Sequence, residues 1–357
     1  MTSTELAPVI DDLNAYILTG RVSNTGKAIT DGVDAERLGF KRLFMSERFD
    51  LKEAGALLGG VAARTSRIEI GTGAIIAASR TPLMTAALGA TMQTAYGHRF
   101  NLGLGRGNDL FLKGQGIGET KWDAYRDYVA ILRRLWAGET VTYDGPAGSY
   151  ESLKLVDSLQ GPPPPVWVLI FGGPVGCRHA AEIGDAVLLS PFMTPEAVHN
   201  TVTTIRAHRE RMDLDPDIPI CHPIVTAPDL DEDTTLRYTA ARLVTYLQLP
   251  DLAKIFRKLN HWDDGPIQKI IEHKQFRDLP RANVDQSFHL SQLSEPARLV
   301  PWEWVEQTAA VGSIDDCVAT LQRFRDAGAT ELAIYGSDPI ENAALAAAWR
   351  ERNAVTV

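Results

Sequence analysis

The chain of 357 residues lacks the features that define several protein classes. It holds only three cysteines, which lie far apart at Cys177, Cys221 and Cys317. Their odd number and wide spacing exclude a paired disulfide framework and a CxxC metal site, and are typical of a reducing compartment. No apolar run reaches the roughly 18 residues needed to span a bilayer. The sequence also has no HExxH motif and no carboxylate cluster at ligand spacing, so we expect no metal site.

Basic charge is scarce as well. Lysine and arginine number 36 against 45 aspartates and glutamates, which gives a formal net charge of −9 and a pI near 5.4. Nucleic-acid and anionic-membrane surfaces need clustered basic residues, so the sequence predicts neither as a partner. The N-terminal MTSTELAPVIDD has neither the basic nor the apolar segment of a signal peptide. We therefore expect a cytoplasmic protein.

What the chain does have is a regular alternation of short apolar runs with longer segments of helical periodicity. Eight such runs each precede a helical pattern, which is the arrangement of strand–helix units. The predicted strands are 14–18, 42–45, 67–76, 99–105, 166–171, 185–189, 218–226 and 331–335. Eight parallel units favour a closed (β/α)₈ TIM barrel of the α/β class, with an open doubly wound sheet as the alternative.

Two stretches interrupt this alternation. Residues 140–164 are rich in glycine and proline, and they predict an excursion that holds a small hairpin. Residues 231–311 are too long for one crossover and predict a mostly helical insertion before the last strand–helix unit. We therefore expect residues 1–357 to form a single barrel domain with two insertions, the second of which caps the substrate.

Glycines cluster where three neighbouring predicted strands end. The third strand ends in GTGA (71–74), the fourth in GLGRGN (103–108), and the fifth runs into FGGPVG (171–176). The carboxyl ends of the strands carry the site of a TIM barrel, and glycine lets a ligand approach the backbone closely. Gly172–Gly176 also opens a predicted helix, whose free amides favour an anion. At any one strand end the glycines could simply turn the chain, but three adjacent ends favour a ligand site.

The run GLGRGN itself departs from the dinucleotide fingerprint G-x-G-x-x-G. Asn108 stands where the third glycine belongs, and the run begins about a hundred residues into the chain rather than in the first strand–helix unit. This single, imperfect match is therefore weak evidence for a dinucleotide site.

Four longer motifs carry a family resemblance. They are RIEIGTGAI (67–75), HRFNLGLGRGN (98–108), VWVLIFGGPVGCRHAAEIGDAVLLS (166–190) and VGSIDDCVATLQRFRDAGATELAIYG (311–336). In their order and spacing, and together with YILTGRVSNTGKAITDGVDAERLGFKRLFMSERF near the N-terminus, they resemble the luciferase-like monooxygenase superfamily. The chain is most similar to the branch of deazaflavin oxidoreductases that use coenzyme F420. The family fold is a (β/α)₈ barrel.

The resemblance implies a cofactor pocket, in which the run GLGRGN is a barrel loop facing a flavin-like ring. In deazaflavin members the third strand has a bulge with a non-proline cis peptide that presses on the ring, and the matching peptide here is Gly73–Ala74. Amides at the start of the fifth helix hold the cofactor phosphate. Tyr16 and Arg80 are candidates for the pocket mouth. The implied cofactor-binding residues are Ser46, Gly73, Ala74, Ile75, Gly105, Arg106, Gly107, Phe171, Gly172, Gly173, Pro174, Val175 and Gly176.

The acid–base residues of the sugar-phosphate dehydrogenases in this branch are missing. Their histidine falls on Arg48, a tryptophan falls on Lys52, and their general-acid glutamate falls on Asn108, so a sugar phosphate is not the expected substrate. Arg48 stays protonated and cannot act as a base, but it is suited to anchor an anionic or carbonyl substrate or to polarise the ring carbonyl. Glu47 is placed to accept a hydrogen bond from the ring, and a solvated Glu47–Arg48 ion pair is the competing interpretation. Glu47, Arg48 and Asn108 are the predicted catalytic residues.

Three functions follow. The first is hydride transfer between coenzyme F420 and an organic substrate that the sequence does not identify. The second is a two-component monooxygenase that receives reduced FMN from a partner reductase. The third is a non-catalytic flavin- or deazaflavin-binding protein, which the missing histidine and glutamate keep open. The first two imply a small-molecule substrate, and the frequent dimers of the family make a homodimer an expectation.

Overall fold

The structure is a computed structural model that describes residues 6–48, 52–107, 109–118, 120–277 and 287–354. The strands of these residues are β1 (Leu13–Tyr16), β2 (Arg42–Ser46), β3 (Glu69–Ile76), β4 (Phe100–Gly105), β5 (Val141–Gly145), β6 (Gly148–Leu153), β7 (Val166–Ile170), β8 (Ala186–Leu189), β9 (Ile220–Pro228), β10 (Ala309–Gly312) and β11 (Glu331–Tyr335).

The helices of the first half are α1 (Lys27–Arg37), α2 (Ala54–Ala62), α3 (Pro82–Ala95), α4 (Asp109–Gly114), α5 (Trp122–Trp136), α6 (Pro174–Ile183) and α7 (Pro195–Arg211). Those of the second half are α8 (Glu232–Tyr238), α9 (Ala240–Leu247), α10 (Pro250–Asn260), α11 (Asp264–Ile271), α12 (Lys274–Arg277), α13 (Ser294–Ala297), α14 (Trp302–Thr308), α15 (Ile314–Asp326) and α16 (Ala343–Ala354). Two short 3₁₀ helices lie at Ala77–Ser79 and Leu290–Leu293.

Eight parallel strands close into a barrel in the order β1-β2-β3-β4-β7-β8-β9-β11 and back to β1. The circle is completed by two pairings, Leu13 with Leu332 and Val187 with Ile220. The structure thus confirms the (β/α)₈ TIM barrel and excludes the open doubly wound sheet. Each of the eight predicted strands coincides with an observed barrel strand, and the last matches it residue for residue.

The crossover helices pack on the barrel through one apolar face. In α5 the side chains of Tyr125, Tyr128, Leu132 and Leu135 are buried, because positions three or four apart share a helix face. The helix starts are defined locally: Thr194 accepts a hydrogen bond from the Ala197 amide before α7. Such caps satisfy amides that the helix leaves without partners. Each crossover therefore returns the chain to the amino end of the barrel, where the next strand begins.

The amino end of the barrel is closed by buried charges. Arg42 contacts the Glu331 carboxylate at 2.5 Å and the Glu69 carboxylate at 2.7 Å. Lys41 reaches the other Glu331 oxygen at 2.7 Å, and the Asn14 amide donates to Glu331 at 2.9 Å. Burial alone would raise the pKa of Glu331, but Arg42 and Lys41 bring that pKa below its ordinary value. We call these five residues the amino-end network.

The two interrupting stretches lie outside the circle of eight strands. The first contributes the antiparallel hairpin β5–β6. The second contributes α8 to α14 and, at its end, β10, which extends the sheet by pairing Ala309 with Val225 of β9. The sequence did not predict β10, because four residues reading AAVG are too few to show a strand periodicity. Within the described chain, none of the helices combines the length and apolar character that a bilayer crossing requires.

Candidate active site

A cavity of about 680 Å³ opens at the carboxyl ends of β2, β3, β4 and β7. Helices α9 and α10 form its roof. Its volume is in the range of small-molecule and cofactor sites, and its place is that of a TIM-barrel active site. The sequence-predicted residues that line it are Ser46, Glu47, Ala74, Gly105, Arg106, Gly107, Phe171, Gly172 and Gly176.

The other predicted residues lie beside this cavity or cannot be placed. Ile75 is fully buried in the layer between the barrel and its helices. Arg48 follows β2, and its amide donates to the Lys52 carbonyl at 3.1 Å. Asn108, a predicted catalytic residue, lies outside the described residues. The remaining ones that do not line the cavity are Gly73, Gly173, Pro174 and Val175.

Strand β3 carries a bulge where the resemblance implies one. Its pairing with β2 shifts so that Ser46 faces Ala74, and its pairing with β4 passes directly from Gly71 to Ile75. The prediction of a cis peptide at Gly73–Ala74 is wrong, since the described residues contain no cis peptide bond. Glycine accommodates the bulge instead: a Cβ on Gly73 would lie 2.0 Å from the Tyr16 hydroxyl. Only a residue without a side chain permits that approach.

Two hydroxyl pairs each contribute one residue, Ser46 or Tyr246, to the cavity wall. The Tyr16 hydroxyl contacts the Ser46 hydroxyl, and either oxygen can be the donor. The hydroxyls of Tyr246 and Tyr335 are 3.0 Å apart, and the Tyr16 and Tyr335 rings pack edge to face at 5.0 Å. Burial, reinforced by Tyr335, raises the pKa of Tyr16 far above its ordinary value. Tyr16 is therefore protonated at neutral pH, and the Tyr16–Ser46 pair is a neutral hydrogen-bonding unit.

Glu47 is held by an arginine from the next crossover. Arg80 donates from Nε to Glu47 Oε1 at 3.3 Å, and its Nη2 contacts both Glu47 and Glu53. The Ala54 amide donates to Glu47 Oε2 at 3.0 Å. These donors fix the position of the Glu47 side chain at the cavity wall. No local pattern indicated Arg80 as its partner, because the two residues lie 33 positions apart.

The charge of Arg106 is engaged within its own loop. Its Nη1 donates to both carboxylate oxygens of Asp109 at 3.0 Å and to the Thr120 carbonyl at 2.7 Å. Arg106 therefore ties together the two ends of the segment that follows β4, while its side chain contributes to the cavity wall.

The start of α6 is shaped to receive an anion. Gly172 and Gly173 have φ angles of 84° and 82°, in the left-handed region that favours glycine. A Cβ on Gly173 would meet no atom within 4 Å, and one on Gly176 would have its nearest neighbour, Ile170, at 3.6 Å. The first amides of a helix lack acceptors within the helix, and the helix dipole favours negative charge there. This open cradle fits a phosphate group.

The roof comes from the insertion that the sequence predicts to cap the substrate, but the individual residues that form it were not predicted. Phe256 of α10 is fully buried and packs on Phe171 and Tyr246, with ring centroids 6.2 Å and 5.7 Å apart. This anchor leaves Leu252 and Ile255 of the same helix facing the cavity. The leucine and isoleucine three positions apart are the signal that a search for helical faces would have found.

The (β/α)₈ barrel, the bulge in β3 and the open start of α6 together define a luciferase-like oxidoreductase. Residues 24–331 match the family model described as luciferase-like monooxygenase, and the chain belongs to that family.

Relatives by sequence include an F420-dependent glucose-6-phosphate dehydrogenase from Segniliparus rotundus. It is 33% identical over 193 residues, which cover 48% of this chain and 55% of the relative. The chain spans about half the length of this dehydrogenase and of two others of the same name that it matches. A 5,10-methylenetetrahydromethanopterin reductase from Methanolobus tindarius is 23% identical over 305 residues, covering 84% of this chain and 86% of the relative.

Solved structures show the same fold. The coenzyme F420-dependent tetrahydromethanopterin reductase of Methanopyrus kandleri superposes with a TM-score of 0.76 at 20% identity, over 95% of this chain and 97% of that one. A monooxygenase from Streptomyces bottropensis superposes with a TM-score of 0.64 at 20% identity, over 95% and 98% of the two chains. At such identities the likeness establishes the barrel architecture.

Proposed function

We propose that this protein is a coenzyme F420-dependent oxidoreductase that moves a hydride between the deazaflavin and a small organic substrate. The observation that carries the proposal is the glycine-lined cavity that runs into the open start of α6. Its sequence relatives support F420 over FMN, since several are F420-dependent glucose-6-phosphate dehydrogenases.

The residues of the cavity fit such a cofactor. Bound F420 supplies hydride transfer at C5 of its ring. The small surfaces of Ala74 and Gly105 leave room for a flat ring against the backbone. The amides of Val175 and Gly176 in the first turn of α6 are suited to hold the phosphate, as in other helix N-termini that bind anions. The roof formed by α9 and α10 keeps water from the reacting atoms.

A sugar phosphate is not the proposed substrate. The resemblance places Lys52 where the sugar-phosphate dehydrogenases carry a tryptophan, and here its ammonium donates to the Leu18 and Gly20 carbonyls at 2.6 Å and 2.7 Å. Lys52 is 1% exposed, so its charge serves the loop after β1 and does not reach a ligand. Arg48, which takes the place of their histidine, remains protonated and cannot exchange a proton with substrate.

The proposal is tested by titrating the purified protein with F420 and, separately, with FMN, each in oxidised and reduced form, while ligand fluorescence is followed. We expect F420 to bind with a micromolar or lower Kd and FMN to bind about tenfold or more weakly, because the relatives favour F420. A preference for reduced FMN, with oxygen consumption, would instead support a two-component monooxygenase. Binding of F420 without turnover over a broad substrate panel would support a carrier.

A further inference from the structure

We infer that the substrate part of this cavity takes an uncharged, largely apolar ketone, aldehyde or alcohol, whose oxygen bonds to the Ser46 hydroxyl. The inference rests on the proposed function, because it concerns the second ligand that would share the cavity with the cofactor. Three features of the cavity wall carry it: its charges, its roof and its hydroxyl pair.

The charges of the wall leave nothing for an anionic substrate. Among the described lining residues, Arg106 is the one cation, and Asp109 accepts hydrogen bonds from it through both carboxylate oxygens. The acids of the same wall are Glu47, Asp109 and Asp251, of which Glu47 is paired with Arg80. An incoming phosphate or carboxylate would therefore meet a surplus of negative charge, which disfavours its binding.

The described wall offers one anion cradle, at the start of α6. A phosphate needs donors or cations that converge on it, and the open amides after Gly173 supply them. Once the cofactor phosphate uses that cradle, a second anion finds no comparable group on the described wall. A cofactor with a phosphate and a substrate without one are therefore the combination that these residues suit.

The roof is apolar where it faces the cavity. On α10, Ala253 and Phe256 are 2% and 0% exposed and fasten the helix to the core. Leu252 and Ile255, on the adjoining face, are half-buried and line the cavity together with Leu249. Apolar side chains held over a cavity gain free energy when an apolar ligand takes them out of water.

The hydroxyl pair supplies the polar contact. Ser46 lines the cavity and its hydroxyl contacts that of Tyr16, with either oxygen able to donate. A hydroxyl has one proton to give and two lone pairs. When Tyr16 donates, Ser46 is free to donate to a carbonyl, and when Ser46 donates to Tyr16, it is free to accept from an alcohol. The pair thus matches both members of a carbonyl–alcohol couple.

The test measures binding by the loaded protein. With F420 at saturation, cyclohexanone, cyclohexanol and glucose 6-phosphate are titrated separately while the deazaflavin absorbance is followed. We expect cyclohexanone and cyclohexanol to bind about tenfold or more tightly than glucose 6-phosphate, because the wall repels anions. Tighter binding of glucose 6-phosphate, or no response to cyclohexanone, would overturn the inference. Failure of F420 itself to bind would instead refute the proposed function.

Two variants separate the roof from the hydroxyl. Leu252→Lys should weaken cyclohexanone binding about tenfold, since it puts a charge into the apolar roof. Leu214→Lys makes the same exchange at a residue that is 38% exposed and does not line the cavity, and it should leave the Kd unchanged. Ser46→Ala should weaken binding about fivefold, the effect of one hydrogen bond. The F420 Kd of each variant is measured first. Equal Kd values of the Leu252→Lys and Leu214→Lys variants for cyclohexanone would show that the apolar roof does not contribute to substrate binding.

Discussion

The two ends of this barrel contain different kinds of residue. At the amino end, long charged side chains such as Arg42 and Glu331 fill the barrel and pair with one another. At the carboxyl end, glycines such as Gly105 and Gly172 leave a cavity, and the first amides of α6 have no acceptor within their helix. The closed end satisfies its polar groups internally, whereas the open end leaves the first amides of α6 without acceptors in their helix, where we propose that the cofactor phosphate binds.

The same strands serve both ends. Strand β2 begins at Arg42 in the amino-end network and finishes at Ser46 in the cavity, and β3 runs from Glu69 to the bulge beside Ala74. At about 3.3 Å per residue, four steps along β2 separate the two regions by about 13 Å. The free-energy effects of two substitutions at that separation usually add, because the substituted residues do not interact. We therefore expect the amino end to set stability and the carboxyl end to set ligand binding.

The largest effect should follow from breaking the amino-end network. Arg42→Met removes the cation that lies between the buried carboxylate of Glu331 and the partly exposed carboxylate of Glu69. We expect the free energy of unfolding to fall by about 3–5 kcal/mol, as is usual when one partner of a buried ion pair is removed. Urea unfolding followed by circular dichroism measures this change.

The matched control restores charge balance. The double variant Arg42→Met with Glu331→Gln replaces the most buried carboxylate by a neutral amide of the same shape. It should recover a substantial part of the loss, because the uncompensated charge is the main cost. A loss below about 1 kcal/mol in the single variant would mean that the network contributes no more than a surface pair.

A smaller effect should appear as a pH dependence at His222. This residue of β9 is fully buried against Phe324, and burial lowers its pKa from 6.5 to about 3. In the unfolded chain the imidazole gains its proton below pH 6.5, so stability is lost as the pH falls from there towards 3. The slope is about 1.4 kcal/mol per pH unit, which amounts to about 2.7 kcal/mol at pH 4.5.

His222→Leu isolates this contribution. Unfolding free energies of both proteins are measured near pH 7 and pH 4.5, and the parent should lose about 2.7 kcal/mol more than the variant over that interval. Other groups, among them Glu331 with its lowered pKa, also lose stability in acid, but they do so equally in both proteins. Identical pH slopes for the two would contradict a neutral buried imidazole.

The smallest effect in free energy should come from the open end, and it should change binding rather than folding. Gly176→Asp puts a carboxylate at the anion cradle of α6, where a Cβ has room beside Ile170 at 3.6 Å. We expect the F420 Kd to rise about tenfold, or about 1.4 kcal/mol, through repulsion of the phosphate. Gly176→Asn has nearly the same shape without the charge and serves as the control. Equal Kd values for the two variants would place the phosphate elsewhere.

Much of the fold was accessible from the sequence. The eight strands could be predicted because periodicity and strand-end glycines are local signals, and each observed barrel strand lies where such a signal stood. Strand β10 was missed because it is four residues long and depends on β9 for its pairing. The cis peptide was transferred by resemblance, whereas here glycine at position 73 lets the bulge form without one.

The site was accessible only in part. Glycines at the predicted strand ends, such as Gly105 and Gly172, line the cavity, because chain order fixes which strands are neighbours in a barrel. The partner of its Glu47 carboxylate was not accessible, because Arg80 lies 33 positions away along the chain. The insertion was expected to cap the substrate, but its cavity-facing residues were not predicted, since the register of an insertion over the barrel depends on tertiary packing such as that of Phe256 on Phe171.

The most direct test of the division between the two ends is the F420 Kd of the Arg42→Met variant, measured by fluorescence titration at a temperature where circular dichroism shows it folded. We expect that Kd to equal the parent value within about twofold, because the network and the cavity are separate regions of the same strands. A tenfold or greater loss of affinity would contradict this, and would mean that the amino-end network shapes the cofactor cavity along the strands.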